Sequence, residues 1–544
     1  MMTETEKPKA PESRKLNTKA AGAVGIAVMC SRVLGLIREQ VFAALFGAGT
    51  SMDAFVVAFR TPNLLRDLFA EGALSTAFIT TFSKKIANEN DDAAWRLANK
   101  VATLTAVFMS AVTLLGIFLA PALVHVLAKG FEATPGKFEL TVQLTRIMFP
   151  FILMVSLAAL VMGMLNAKHV FGMPAMASSF FNLGSIIGGV VLGWMLDPHF
   201  GTRSLVGLSL GTLIGGFLQL VVQFPALRKV GYRFRPDFAW RDPGVRQILL
   251  LMGPAVIAAS AVQVNVMVNG NFASHLGNGP VSWLNYAFRL MQLPIGIFGV
   301  AIGTVTLPVV SRFAAARDET GIRSTLARGL RLAALLTIPC AIGLWFFSEP
   351  IISLIFQRRR FTFEDTLQTA AALKFYAIGL AAYSGIKVLA PAFYAIDKRN
   401  APMLVSFGSI ITNYLLNQFF TFHLGLGHRG LALSTGLVAM INFLILYALM
   451  ARHTRGLETR ALCVTLAKLA LAGAALAAVC VAAQRFVFAG LATMAFVPKL
   501  IGVFGTIALG GAVFGAVIWL LGVDEVRDLS ALISRKLARR PMRA

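Results

Sequence analysis

The chain has 544 residues, 57% of them hydrophobic and 14% charged, with a mean hydropathy of +0.73. That balance excludes a soluble globular domain and describes an integral membrane protein. A net charge of +25 would suit nucleic acid in a soluble chain, but here the basic residues belong first to one side of a bilayer, and no nucleic-acid partner is expected.

Residues 1–20 are a polar tail. The apolar stretch after them is too long, and wrongly flanked, for a cleavable signal peptide, so the first span is expected to be retained. At about 20 apolar residues per crossing, spans fall at 21–47, 54–82, 101–128, 142–167, 173–196 and 204–227. A basic connection at 229–246 separates them from spans at 247–275, 280–311, 327–356, 367–395, 401–422 and 429–451. Two more, 463–487 and 497–521, precede a basic tail at 523–544. The predicted fold class is an all-α polytopic membrane protein with about fourteen transmembrane helices. Lys84, Lys85, Arg228, Lys229, Arg233, Arg235, Arg312, Arg317, Lys398 and Arg399 share one side, whereas the opposite connections FGAGTSMD and HLGNGP carry no Lys or Arg. The positive-inside rule then puts both termini in the cytoplasm, which requires an even number of crossings.

FAALFGAGTSMDAFVVAFR, Phe42 to Arg60, matches FASHLGNGPVSWLNYAFR, Phe272 to Arg289, in its Gly-containing outer turn and its Ala-Phe-Arg. The two copies start six crossings apart, which makes a parallel repeat about an axis along the membrane normal. Two pseudo-symmetric six-helix lobes, 21–228 and 247–452, are expected around a central cavity, joined by the linker 229–246. Spans 13 and 14, within 453–522, are an addition to this repeat.

The first two spans hold Arg32, Arg38, Glu39, Asp53, Arg60, Arg66, Asp67 and Glu71, and the eighth holds Arg289. An arginine at mid-bilayer costs roughly 2.5 to 3.5 kcal/mol, so these side chains must face water, partners or a ligand. On an ideal helix Arg32 shares a face with Glu39, and Asp53 with Arg60. Gly35 and Thr61-Pro62 are places where these helices can bend. Some of the ions can pair, Arg66 with Glu71 for example, but the arginines outnumber the carboxylates. Guanidinium forks match phosphate oxygens, so an arginine cluster drawn from both lobes suits a phosphate or pyrophosphate head group.

Other polar residues carry less. Lys387 either snorkels to the interface or lines the cavity. Asn413 and Asn417, one turn apart, suit an interhelical hydrogen bond better than a cation site. Glu349 to Thr366, with Arg358, Arg359 and Arg360, reads as a solvated outer connection, and His423 and His428 as outer-loop residues. Cys30, Cys340, Cys463 and Cys480 read as small core residues, with no disulfide, metal or cofactor expected. In the tail, Leu529, Leu532, Ile533 and Leu537 share a face among basic residues, as in a helix lying on the anionic inner leaflet. No Walker A, GxSxG or HExxH pattern occurs, and the outer connections are short, which points to a secondary transporter rather than an enzyme.

SRVLGLIRE, GAGTSMDAFVVAFR and PNLLRDLFAEGALSTAF in the first lobe closely resemble the MurJ/MviN family of lipid II flippases, in the MOP exporter superfamily. NYAFRLMQLPIGIFGVAIGTVTLP, LIFQRRRFTFEDT and KVLAPAFYAIDKRNAP extend the resemblance over nearly the whole chain. It implies a multi-pass protein of the bacterial cytoplasmic membrane. Such a protein moves undecaprenyl-pyrophosphate disaccharide pentapeptide to the outer leaflet for peptidoglycan assembly, with cell-wall and division machinery as partners. The family's cavity arginines correspond to Arg32, Arg38, Arg66 and Arg289, its acidic positions to Glu39, Asp53 and Glu71, and its lipid-tail groove to spans 13 and 14. Two departures stand out: Phe288 precedes Arg289 where members often have Asp, and Gln263, Asn265, Asn413 and Asn417 occupy spans whose aspartates bind sodium in some members. The resemblance therefore carries no sodium site over to this chain.

Overall fold

The computed structural model describes residues 18–523 and 525–526, without the side chains of 18–24, 70–73, 76 and 258. The amphipathic tail from 527 onward lies outside the described residues, as do residues 1–17. Helices and short connections make up the rest, and no strand occurs among the described residues.

The first lobe begins with α1 (Thr18–Phe46), one uninterrupted helix through Gly35. A tight turn at Gly47, with φ +70°, leads into α2 (50–88), which passes through Pro62 and widens into a π-helix over Asp67–Leu74. The Asn90 side chain accepts the Ala93 N–H and starts α3 (91–128), which breaks at Leu119 ahead of Pro121. Then come α4 (Lys137–Ala167), α5 (Gly172–Leu196) and α6 (Ser204–Lys229). The second lobe contains α7 (Pro243–Ser274), α8 (Pro280–Ala315), α9 (319–356), α10 (363–395, broken at Gly379), α11 (400–423) and α12 (His428–His453). Two further helices, α13 (Thr459–Phe486) and α14 (Phe496–Leu520), follow. By length and composition, nine of these helices among the described residues are fit to cross a membrane, or eleven if bent α7 and α10 each count as one. Charges interrupt α2, and polar residues interrupt α11.

The sequence repeat has a backbone counterpart. In α8, as in α2, a proline after the Ala-Phe-Arg is followed by a π-helix, here Pro294 and Ile295–Gly299. Such widened turns recur at functional sites because they re-aim side chains.

Helix packing relies on small residues, as expected where lipid removes the hydrophobic drive between helices. Gly184, Gly189 and Gly193 of α5 meet Gly207, Gly211 and Gly215 of α6. A Cβ at Gly211 would sit 2.1 Å from the Gly189 nitrogen. Helix α7 packs against both α11 and the π-segment of α2, and so touches both lobes. Helices α13 and α14 pack on α9 through Leu335, Leu469, Leu476 and Phe514. Arg331 of α9 pins this pair at one end, 3.0 Å from Glu458 and bonded to buried Glu525.

Candidate functional site

The charged residues of α1 and α8 meet around one carboxylate. Arg38 donates to Glu39 Oε1 at 2.8 Å, and Arg289 Nη2 of the other lobe lies 3.4 Å from the same oxygen. Arg38 is buried, its guanidinium 5.7 Å from the Phe59 ring centre and 5.2 Å from that of Phe181. Stacking on two rings and pairing with Glu39 both stabilise this buried cation. The Arg289 side chain, by contrast, is 45% exposed. With Phe288 turned onto Tyr376, its described acidic neighbour is Glu39.

Arg32 is exposed, and its guanidinium lies against the π-turn of α8: a Cβ at Gly296 would fall 2.1 Å from Arg32 Nη1. Glycine there lets an arginine of one lobe touch the backbone of the other. Arg60 is half-buried beside Gly270 of α7. Arg66 pairs with Asp67 at 2.7 Å, and Asp67 Oδ2 is 3.5 Å from Gln263 Nε2 on α7. The side chain of Glu71, the partner expected for Arg66, lies outside the described residues. Arg32, Arg38, Arg60, Arg66 and Arg289 thus line the lobe junction with fewer carboxylates than cations among the described side chains.

Asp53 departs from the expectation that it shares a ligand-facing surface with Arg60. It is fully buried where the lobes meet. It accepts the Gly279 N–H at 2.8 Å, the Ser282 N–H at 2.9 Å and the Ser282 hydroxyl at 2.6 Å, and pairs with Lys137 at 2.9 Å. A carboxylate at the first turn of α8 is stabilised by the free N–H groups and the positive end of the helix dipole. Lys137 also donates to the Gly277 carbonyl and the Asn278 side chain and stacks on Phe131. Sequence reasoning missed Lys137, because a lysine just before an apolar run reads as loop; GKFEL directly before span 4 was the available signal. Arg360 is exposed, as expected of an outer connection, and also donates to the Phe200 and His199 carbonyls, both at 2.6 Å. Asp53, Lys137 and Arg360 close the lobes together at the end of the molecule far from the linker.

The asparagines of α11 form interhelical hydrogen bonds. Asn269 Oδ1 accepts from Asn413 at 2.9 Å and Asn417 at 2.7 Å, while Asn269 donates to Thr435. The partner on α7 is Asn269, and Asn265, one turn before it, bonds Ser409 of α11. Lys387 is exposed. His428 is buried against Trp283 rather than solvated, with its ring bonded to the Gln368 carbonyl. Of the cysteines, Cys480 is buried but Cys30 and Cys463 are exposed, on helix faces where a weakly polar thiol is tolerated.

The linker is tied to the first lobe. Asn99 of α3 bonds the Arg233 carbonyl and the Arg235 N–H, Thr103 accepts the Asp237 N–H, and Lys100 pairs with Asp242 at 2.7 Å. Partial burial pushes the Asp242 carboxyl up, but the Lys100 and Gly244 hydrogen bonds outweigh it and hold its pKa below the ordinary value.

Two lobes, each with a proline-led π-helix near the arginine of its Ala-Phe-Arg and joined at one end by Asp53, Lys137 and Arg360, define a two-lobed polytopic membrane-protein fold. A MATE transporter of the MOP superfamily in its inward-facing conformation shares this fold, with a TM-score of 0.67 at 14% identity, over 81% of this chain and 99% of that one. The structure titled "Lipid II flippase MurJ, inward closed conformation" is more similar: TM-score 0.74 and 25% identity, over 95% of this chain and 99% of the other. The family model for lipid II flippase MurJ matches residues 42–502. The lipid II flippase MurJ of Burkholderia cenocepacia is 38% identical over 77% of this chain and 81% of its own length. The probable lipid II flippase MurJ of Vibrio cholerae is 34% identical over 94% and 97%. The chain belongs to the MurJ family of lipid II flippases.

Proposed function

We propose that this protein carries lipid II, the undecaprenyl-pyrophosphate-linked peptidoglycan precursor, from the inner to the outer leaflet of a bacterial cytoplasmic membrane. The observation that carries the reading is the shared Glu39 carboxylate, which bridges Arg38 of one lobe and Arg289 of the other. A pyrophosphate offers the same guanidiniums more oxygens and more charge, so it displaces Glu39 and ties the lobes to the substrate. Arg32 and Arg289, the exposed members, make first contact; Arg38, Arg60 and Arg66 follow. Asp53 acts apart from the head group, as the outer latch.

Transport runs by alternating access, as a secondary-type process. The head group enters while Asp53, Lys137 and Arg360 hold the outer end shut, and the lipid tail stays in the membrane along α13 and α14. Release of the latch and rocking of the lobes, 21–228 against 247–452, exposes the head group outside. With the interior negative, moving each negative charge outward is favoured by roughly 2.3 kcal/mol per 100 mV. The cytoplasmic tails and cell-wall machinery belong to the same reading.

Binding of undecaprenyl pyrophosphate to the purified protein tests it. Arg289→Ala weakens binding by about 1.5 to 3 kcal/mol, the range for hydrogen bonds to charged groups, and the monophosphate binds more weakly than the pyrophosphate. Equal affinities for wild type and variant would remove the head-group site from this cluster.

A further inference from the structure

The linker between the lobes presents an unusual surface. Within RFRPDFAWR, Arg233 to Arg241, the backbone is held to α3 by Asn99 and Thr103. Phe234, Phe238 and Trp240 are 55%, 64% and 40% exposed, and Arg233, Arg235 and Arg241 are exposed among them. Beyond the contact of the Phe238 and Trp240 rings, whose centres are 5.9 Å apart, these three large outward-turned aromatic side chains on a pinned segment have no packing explanation among the described residues.

Their level in the fold tells what covers them. On α3 the exposed side chains become apolar at Val107 and Phe108, about one turn beyond Thr103. On α7 they become apolar at Leu249, about one turn beyond exposed Arg246. The strap therefore runs where the helices pass from polar to lipid-facing surface, the depth at which Trp and Phe rings rest among head groups. Asp242 is neutralised by Lys100, and Asp237 is turned toward the Ala239 N–H. Three arginines then face outward with one unpaired carboxylate among them, which matches a negatively charged surface.

We propose that residues 233–241 are a membrane anchor for the lobe junction: Phe234, Phe238 and Trp240 enter the interface, and Arg233, Arg235 and Arg241 bind the phosphates of anionic phospholipids. The covalent connection between the lobes is thereby fastened to the bilayer on the first lobe's side, and α7 moves relative to a fixed point.

The test uses the full chain in bilayers containing either brominated phosphatidylglycerol or brominated phosphatidylcholine at the same mole fraction. The Trp240 fluorescence is obtained by subtracting Trp240→Phe. The expected result is that both lipids quench Trp240, phosphatidylglycerol several-fold more effectively. Replacing Arg233, Arg235 and Arg241 together by Gln is expected to erase the difference while leaving quenching by phosphatidylcholine. A Trp240 signal untouched by either lipid means water or a protein covers the strap and overturns the proposal. Equal quenching by both lipids in the wild-type chain overturns the recognition of anionic lipid, whether or not the triple variant folds.

Discussion

At the scale of single residues, Asp53 is the most heavily committed ion among the described residues, with a lysine, two backbone N–H groups and a hydroxyl on one buried carboxylate. Asp53→Asn presents an amide donor to groups that are themselves donors and leaves Lys137 buried without its counter-ion. Breaking a buried pair from one side costs about 3 to 5 kcal/mol, and here the cost falls on the outer-closed state. The expected outcome is faster labelling, from outside, of a cysteine introduced at buried Tyr286 in Asp53→Asn than in the wild-type background. Unchanged labelling would mean the latch does not set the conformation. Glu39 gives the complementary case, because its carboxylate occupies the place assigned to pyrophosphate. Glu39→Gln is expected to tighten undecaprenyl pyrophosphate binding by about tenfold, roughly 1.4 kcal/mol, while slowing transport. Looser binding with unchanged transport would show that Glu39 does not compete with the ligand. The arginines were legible in the sequence through their cost in a bilayer. The split between Asp53 and its neighbours was not, because helical spacing shows which residues share a face and not which face meets another lobe.

At the scale of elements, the tightest contact is α5 on α6, where glycines let the two backbones touch. Gly211→Val brings a branched side chain to a position where even a Cβ meets the Gly189 nitrogen at 2.1 Å. Overpacking of this kind costs about 1 to 3 kcal/mol or more, so a lower thermal unfolding temperature is expected, with Gly505→Ala in open space as a near-neutral control. A smaller effect belongs to the strap. The folded-state pKa of Asp242 lies below its unfolded value of about 3.9, so its pairing with Lys100 stabilises the fold above that pH and fades as pH falls through the folded pKa. The difference in unfolding temperature between wild type and Asp242→Asn should therefore be present at neutral pH and shrink under acid. A constant difference would mean the charge contributes nothing. Helix positions were readable from apolar run length, but several starts were not. α4 begins at Lys137 and α7 at Pro243, both before their apolar runs at 142 and 247, because capping and ion pairing extend helices into polar sequence. The π-helices of α2 and α8 left no hydropathy signal beyond their prolines.

At the scale of the molecule, the duplicated Ala-Phe-Arg and the proline-led π-helices make the two lobes variations on one unit, and the arginines face each other as a consequence. The counterpart of these π-helices in the sequence is the match between Phe42–Arg60 and Phe272–Arg289. The asparagine bridge from α7 to α11 was visible only from its α11 side, in Asn413 and Asn417, since naming Asn269 as their partner depends on how two helices rotate against each other. Arg331 joins α13 and α14 to the second lobe, and Arg331→Met leaves buried Glu525 without its cation. The expected consequence is earlier proteolysis around 487–495 on heating than in wild type, and an unchanged pattern would mean hydrophobic packing alone holds the pair. In the proposed function, the arginines at the lobe junction are the means of moving a pyrophosphate head group across the membrane. This role is tested most directly in cells depleted of their own flippase, by measuring lipid II accessible to a probe that modifies only the outer leaflet. The wild-type chain is expected to restore outer-leaflet lipid II, and Arg38→Ala and Arg289→Ala, inserted at normal levels, to fail. Equal restoration by both variants would contradict that role and leave these charges as supports of the fold.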